Sequence, residues 1–343
     1  MNKKLRGPDS PTLIIEEGHL QYCHLGKSGL IVSRLALGCM SFGDSTKGAH
    51  TWTLDYTQSE KIITKSLDLG INFFDTANIY SLGSSEEIVG ACLKKYAKRD
   101  DVVIATKVYE KMTTSPLSGG LSRKEIFTQV NASLKRLQTD YIDLYIIHRW
   151  DDNTPIEETM LALNDLIQSG KVRYIGASSM RTWQFIKAQF VARMNGWTAF
   201  ISMQNHYNLI NREEEREMLP YCVSEGIGVT PWSPLARGKL AKNTDTVRTQ
   251  SDNVLSWLYE SAKQSDEKII SVLNEIAAGK ECKPAHVALA WLLSKPSIVS
   301  PIVGVTSVEQ LIDNACCMNV SLSNDEIAAL EEFYTPHVRA ELS

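Results

Sequence analysis

Four residues of this 343-residue chain have types and positions that could carry proton chemistry. Asp75 and Tyr80 lie close together in INFFDTANIY (71–80), Lys107 closes VVIATK, and His148 closes LYIIH. A carboxylate at the end of an apolar run is costly unless a cation meets it. Lys107 could be that cation, since a buried Lys–Asp pair is stable when each partner satisfies the other. A tyrosine is a weak acid of pKa about 10, and a neighbouring cation favours its phenolate. Lys107 would then make Tyr80 a competent proton donor, and His148 could hold a substrate oxygen by a hydrogen bond. Such a set protonates an oxygen as charge develops on it, which carbonyl reduction requires. Alone, each residue has a plainer reading as a structural ion pair or a packing side chain. Their joint occurrence at the ends of successive apolar runs favours a site. A second chemistry, Schiff-base formation on Lys107, also fits a strand-end lysine. Asp75 weakens it by keeping the amine charged.

The elements that must place these residues alternate along the chain. Apolar, β-branched runs occur at 35–39, 71–74, 102–106, 142–147, 172–177, 200–204, 227–231 and 298–303. Segments of helical period separate them, among them 60–69, 126–137, 156–167 and 287–293. Capping boxes are expected at Thr57-x-x-Glu60, Ser84-x-x-Glu87, Ser122-x-x-Glu125, Thr154-x-x-Glu157, Ser307-x-x-Gln310 and Ser323-x-x-Glu326. Gly70, Gly170 and Gly226 fall where left-handed C-caps are wanted. About eight strand–helix units with non-alternating strands predict a parallel sheet buried on both faces, closed as an α/β (β/α)8 TIM barrel. The doubly wound rival would want G-x-G-x-x-G after an early strand, and residues 38–43 read GCMSFG. In a barrel, chemistry sits at the C-terminal strand ends, where Asp75, Lys107 and His148 fall and whose following loop carries Tyr80.

Residues 1–18 read as a loosely ordered extension and 19–343 as the barrel, with an N-terminal β-hairpin around Lys27-Ser28-Gly29 and an extra C-terminal helix from Ser323. Residues 237–265 form a long polar insertion on the active-site side, and the acidic cluster Glu213–Glu215 reads as the solvated start of a helix. The net charge of −4 gives no electrostatic case for nucleic acid or a membrane surface. Seven cysteines without a C-x-x-C argue against a disulfide framework or a structural zinc site. No segment has the ~20 apolar residues of a membrane span, and the MNKKLR start lacks a signal-peptide core, so a cytoplasmic setting is expected.

FDTANIYS-x-G-x-SEE, IATK, IIH, SPLARG and GVTSVEQL together resemble the aldo-keto reductase superfamily. HRWDDNTPIEETM, YIGASSM and PWSPLARGKL are similar to its YajO-type branch of bacterial and fungal oxidoreductases. The resemblance runs from about Leu20 to the C-terminus. It implies NADPH as hydride donor, Tyr80 as general acid tuned by Lys107 and Asp75, and His148 as orienter of the carbonyl. It also implies that Ser178, Ser179 and Gln204 hold the nicotinamide carboxamide, with Ser179 departing from the family's Ser-Asn pattern, and that Trp232 stacks on the ring.

Ser233, Leu235, Arg237, Gly238 and Lys239 would meet the pyrophosphate through backbone amides and cations. Gly304, Thr306, Ser307, Gln310 and Asn314 would hold the adenosine half. Ser307 is neutral where some relatives carry a cation, so selection of NADPH over NADH would rest on Arg237, Lys239 or Arg248. Trp52, Tyr109 and Trp150, with Trp232 and Met112, would line a pocket for an apolar or aromatic aldehyde. The expected partner is a small carbonyl compound. A cofactor-sensing regulatory subunit with little turnover is the alternative function.

Overall fold

The structure is a computed structural model that describes residues 20–48, 50–241, 258–259 and 262–337. The N-terminal extension at 1–18 and most of the 237–265 insertion, Arg248 included, lie outside the described residues.

The apolar runs form parallel strands in one sheet: β3 (Ala36–Gly38), β4 (Phe73–Asp75), β5 (Val103–Val108), β6 (Ile142–Ile147), β7 (Val172–Ser178), β8 (Ser202–Gln204), β9 (Gly228–Val229) and β10 (Ile302–Gly304). Their order is β10-β3-β4-β5-β6-β7-β8-β9. The ring closes beside β10. Val229 N–H donates to the Ser297 carbonyl at 2.9 Å, Val299 N–H donates to Val229 at 2.9 Å, and Ile302 N–H donates to Pro231 at 3.0 Å. Ahead of the barrel, β1 (Tyr22–His24) and β2 (Ile31–Ser33) make the expected antiparallel hairpin.

Alternation along each strand divides two cores. Phe73, Val103, Ala105, Leu144 and Ile146 fill the barrel interior together with Leu25 and Val32 of the hairpin segment. Phe74, Ile104, Tyr145 and Ile147 point outward and pack in the core beneath the helices. Asp75, Lys107 and His148 continue the inward parity of their strands. The site is therefore a polar last layer on an apolar barrel filling.

Ten α-helices are described: α1 (Tyr56–Asp68), α2 (Ser84–Tyr96), α3 (Arg123–Leu137), α4 (Ile156–Gln168), α5 (Thr182–Met194), α6 (Met218–Glu225), α7 (Lys263–Gly279), α8 (Pro284–Leu293), α9 (Val308–Ala315) and the extra α10 (Asn324–Glu331). Ser122, Ser307 and Ser323 cap α3, α9 and α10, the last with a complete box. Three expected boxes are displaced. Asp55, paired with Gln58, caps α1 in place of Thr57. Gly83 precedes α2, and the Ser84 hydroxyl serves the Ser81 carbonyl and the Asp44 amide. Pro155 precedes α4, while Thr154 donates to Asp151. Gly70, Gly170 and Gly226 adopt φ of 83°, 75° and 68°.

Glu213–Glu215 is a separate 3-10 turn and not a solvated helix start. Glu213 accepts from the Tyr334 hydroxyl at 2.8 Å and the His337 amide at 3.0 Å, and Glu215 pairs with Arg212 at 2.7 Å. The cluster anchors the segment after α10.

Candidate active site

Strand register sets the centre of the site. Asp75 lies opposite Ala105, and Lys107 lies opposite Ile146. The Lys107 ammonium donates to Asp75 Oδ1 at 2.6 Å, to the Thr76 carbonyl at 2.7 Å and to the Tyr80 hydroxyl oxygen at 3.3 Å. An ammonium has three protons, and all three are used. Burial alone would favour neutral lysine, but Asp75 and Tyr80 overcome it and hold the Lys107 pKa above its ordinary value. A charged amine is no nucleophile, so this pairing weighs against the Schiff-base chemistry. The second oxygen of Asp75 accepts from Gln204 Nε2 at 2.9 Å.

Tyr80 reaches Lys107 from a turn. Thr76 N–H donates to the Ala105 carbonyl at 2.9 Å and Asn78 N–H to the Lys107 carbonyl at 3.3 Å, which pins the loop to β5. Just past Tyr80, Ser81 and Leu82 adopt left-handed φ of 47° and 49°. Gly43 backs that bend. A Cβ at Gly43, whose φ is +146°, would stand 2.3 Å from Ser81 Oγ. Gly43→Ala should displace the bend and lower kcat about tenfold, with a stability loss of about 1–3 kcal/mol. Thermal unfolding and steady-state rates on one preparation would check this, and an unchanged kcat would show that the bend does not position Tyr80.

Burial pushes the Tyr80 phenol above its ordinary pKa, and the opposing pull of Lys107 does not reverse it. The expected phenolate-favouring balance is thus corrected, because the desolvation that the sequence does not display outweighs the cation. His148 follows β6 and stands edge to face against Tyr80, with ring centroids 6.0 Å apart. Burial and the cations Arg149 and Lys107 hold its pKa well below the ordinary value, so its ring is neutral.

A cavity of about 750 Å³ opens above this cluster. Asp75, Tyr80 and His148 line it together with Trp52, Ser178, Gln204, Trp232, Ser233, Leu235, Arg237, Gly238, Gly304, Thr306, Gln310 and Asn314. Lys107, Ser179, Lys239, Ser307, Tyr109, Met112 and Trp150 stand outside that lining. Ser179 Oγ accepts from Trp232 Nε1 at 3.0 Å, and one face of the indole is stacked on His206 at 4.3 Å. Lys239 is turned towards Asp266, 4.0 Å away. Trp150 packs edge-on against Trp183 and donates to Asp152 at 2.8 Å. In the turn after Trp232, the amides of Ala236, Gly238 and Lys239 are spent on carbonyls of the same turn, at 2.9, 2.9 and 3.2 Å. Of the residues expected to meet the pyrophosphate, Gly238 and Lys239 thus have their amides already paired within the turn. Sequence reading also passed over Arg149, Lys283 and Asp313, which line the cavity. Lys283 Nζ lies 2.8 Å from Asp313.

Among the described residues no group of three His, Cys, Asp or Glu could hold a metal, and no helix is long and apolar enough to cross a membrane.

A closed α/β barrel with a buried Lys–Asp–Tyr cluster beneath a polar mouth defines a class of α/β-barrel protein that carries its site at the C-terminal ends of the strands. Residues 34–335 match the aldo/keto reductase family model, and the chain belongs to that family of oxidoreductases, which act on small carbonyl compounds with nicotinamide cofactors. The chain is similar to versiconal hemiacetal acetate reductase of Aspergillus parasiticus, 45% identical over 92% of this chain and 98% of that protein. It is 42% identical to an aldo-keto reductase of Fusarium vanettenii, over 98% of this chain and 97% of the relative. A Schizosaccharomyces pombe protein bearing the name aryl-alcohol dehydrogenase is 44% identical over 92% and 96% of the two chains.

Proposed function

We propose that the protein reduces an aldehyde or ketone with NADPH, and that Tyr80 is the general acid. The observation that carries this reading is the saturation of Lys107. Its third proton goes to the Tyr80 oxygen, so the phenol proton is left for an acceptor in the cavity. The raised Tyr80 pKa keeps that proton in place at neutral pH. The neutral His148 ring can donate to or accept from the same substrate oxygen. Proton transfer from Tyr80 leaves a phenolate beside the Lys107 ammonium, which stabilises it electrostatically.

The donor chemistry of the cavity lining supports a dinucleotide site. Ser178 and Gln204 would meet the carboxamide, and the Trp232 indole would flank the ring. Ser233 and Arg237 would meet the phosphates through side chains, in place of the amides already spent in the turn. The N-terminal end of α9, with Thr306, Gln310 and Asn314 on the cavity, would take the adenosine half. Arg237 and Lys283 are cavity cations that favour the extra phosphate of NADPH. When bound, the nicotinamide would supply a hydride to the carbonyl carbon, and Tyr80 would supply the proton that completes the alcohol.

Purified protein should oxidise NADPH in the presence of aromatic and aliphatic aldehydes, with kcat/KM for NADPH at least about tenfold above that for NADH. Tight NADPH binding without turnover on any carbonyl would sink the reductase reading in favour of a cofactor-sensing role. Equal use of both dinucleotides would remove the phosphate-recognition part alone.

A further inference from the structure

The cavity contains a cation that proton transfer does not use. Arg149 follows His148 and lines the same wall as Tyr80 and His148. Its Nη1 donates to the His148 carbonyl at 2.7 Å. A guanidinium carries five N–H donors in a planar fork that matches a carboxylate with two parallel bonds. Other half-buried arginines here have found such partners. Arg99 lies 2.6 Å from Asp143, Arg136 lies 2.6 Å from Glu86, and Arg212 lies 2.7 Å from Glu215. Among the described residues, Arg149 has no carboxylate within ion-pair distance. Burial pulls its pKa down, and only the more distant influence of Tyr80, Glu110 and Tyr109 opposes this. A desolvated charge with unspent donors is costly until an anionic acceptor meets it.

Place in the barrel decides which anion. Arg149 follows the fourth barrel strand, β6. The segments suited to dinucleotide phosphates follow the seventh and eighth, β9 and β10, on the other side of the mouth. Arg149 therefore faces the compound presented to Tyr80, on the side of the cavity that Tyr80 and His148 line.

We propose that Arg149 is an anion subsite, and that the preferred carbonyl compounds carry a carboxylate on the group attached to the carbonyl. That such compounds are turned over rests on the reductase reading. The binding of a carboxylate at Arg149 does not.

Isothermal titration of benzoate and benzamide into the full-length protein, with NADP+ present, tests the subsite directly. Benzoate should bind at least about tenfold more tightly than benzamide, as expected of hydrogen bonds to a charged group. Arg149→Met should bring the two level, and Arg149→Lys, which keeps the charge without the fork, should keep a reduced preference. In turnover, 3- and 4-carboxybenzaldehyde are each compared with their methyl esters. The acid-to-ester ratio of kcat/KM should fall at least about tenfold in Arg149→Met, through KM and not kcat. Equal binding of benzoate and benzamide by the unsubstituted protein, or an acid-to-ester ratio that Arg149→Met leaves unchanged, would overturn the subsite. Turnover of the esters would still stand as support for the reductase reading. An Arg149-dependent preference for benzoate with no turnover of any aldehyde would support the subsite and overturn the reductase reading.

Discussion

Tyr80→Phe should lower kcat for carbonyl reduction by about three orders of magnitude while changing NADPH affinity by no more than about threefold. Phenylalanine keeps the ring that stands against His148 and removes only the oxygen that Lys107 addresses at 3.3 Å. The cofactor-binding residues proposed above lie on other strand ends and should be undisturbed. The raised phenol pKa adds a pH signature. A general acid works while protonated, so kcat in the reductive direction should stay level from about pH 6 to about pH 9 and fall only above that. His148 gives no acidic limb, because its ring is already neutral in that range. Pre-steady-state hydride transfer measured across pH would show both effects. A loss below about tenfold in the variant would move the proton donor to a water or to His148.

The second large effect is expected at Lys107. Lys107→Met removes the only cation within ion-pair distance of Asp75 among the described residues and leaves a carboxylate buried in the barrel mouth. Breaking one side of such a pair typically destabilises by about 3–5 kcal/mol. The variant should therefore lose turnover and also unfold at a clearly lower urea midpoint. Asp75→Asn in the same chain removes the stranded charge and preserves a hydrogen-bond partner for Gln204. The double variant should recover most of the stability and none of the rate. That separation matters, because it distinguishes a cation needed for folding from one needed for chemistry. Unfolding midpoints and kcat for the four proteins of this cycle decide it, and a double variant no more stable than Lys107→Met would show that charge burial is not the source of the loss.

The barrel was legible in the sequence because fully buried parallel strands read as uninterrupted apolar runs, and their ends pointed to Asp75, Lys107 and His148. Shared parity along β4, β5 and β6 then follows from strand geometry alone. Helix starts were harder to read. Ser/Thr-x-x-Glu occurs wherever polar residues cluster, and Asp55 with Gln58 outcompetes Thr57 two residues later. Side-chain direction is invisible to spacing. Lys239 turns to Asp266, while Arg149, which stands in the HRW motif, turns into the cavity. The direction of the Tyr80 shift was misjudged for a related reason. A partner can be guessed from neighbours in sequence, whereas desolvation is a property of everything packed around the group.

The backbone that carries Asp75, Lys107 and Gln204 is hydrogen-bonded on a ladder, while Trp52, Tyr109 and Trp150 lie in connecting segments. A one-residue slip of β4 or β5 would invert inward and outward faces and dismantle the Asp75–Lys107–Tyr80 cluster. A residue inserted beyond Val108 or His148, past the ends of β5 and β6, would change the walls and leave that cluster where it is. On the proposed reading, the molecule separates what it does to an oxygen from which compound brings that oxygen. New substrates can be acquired by trading loops, with the reaction inherited unchanged.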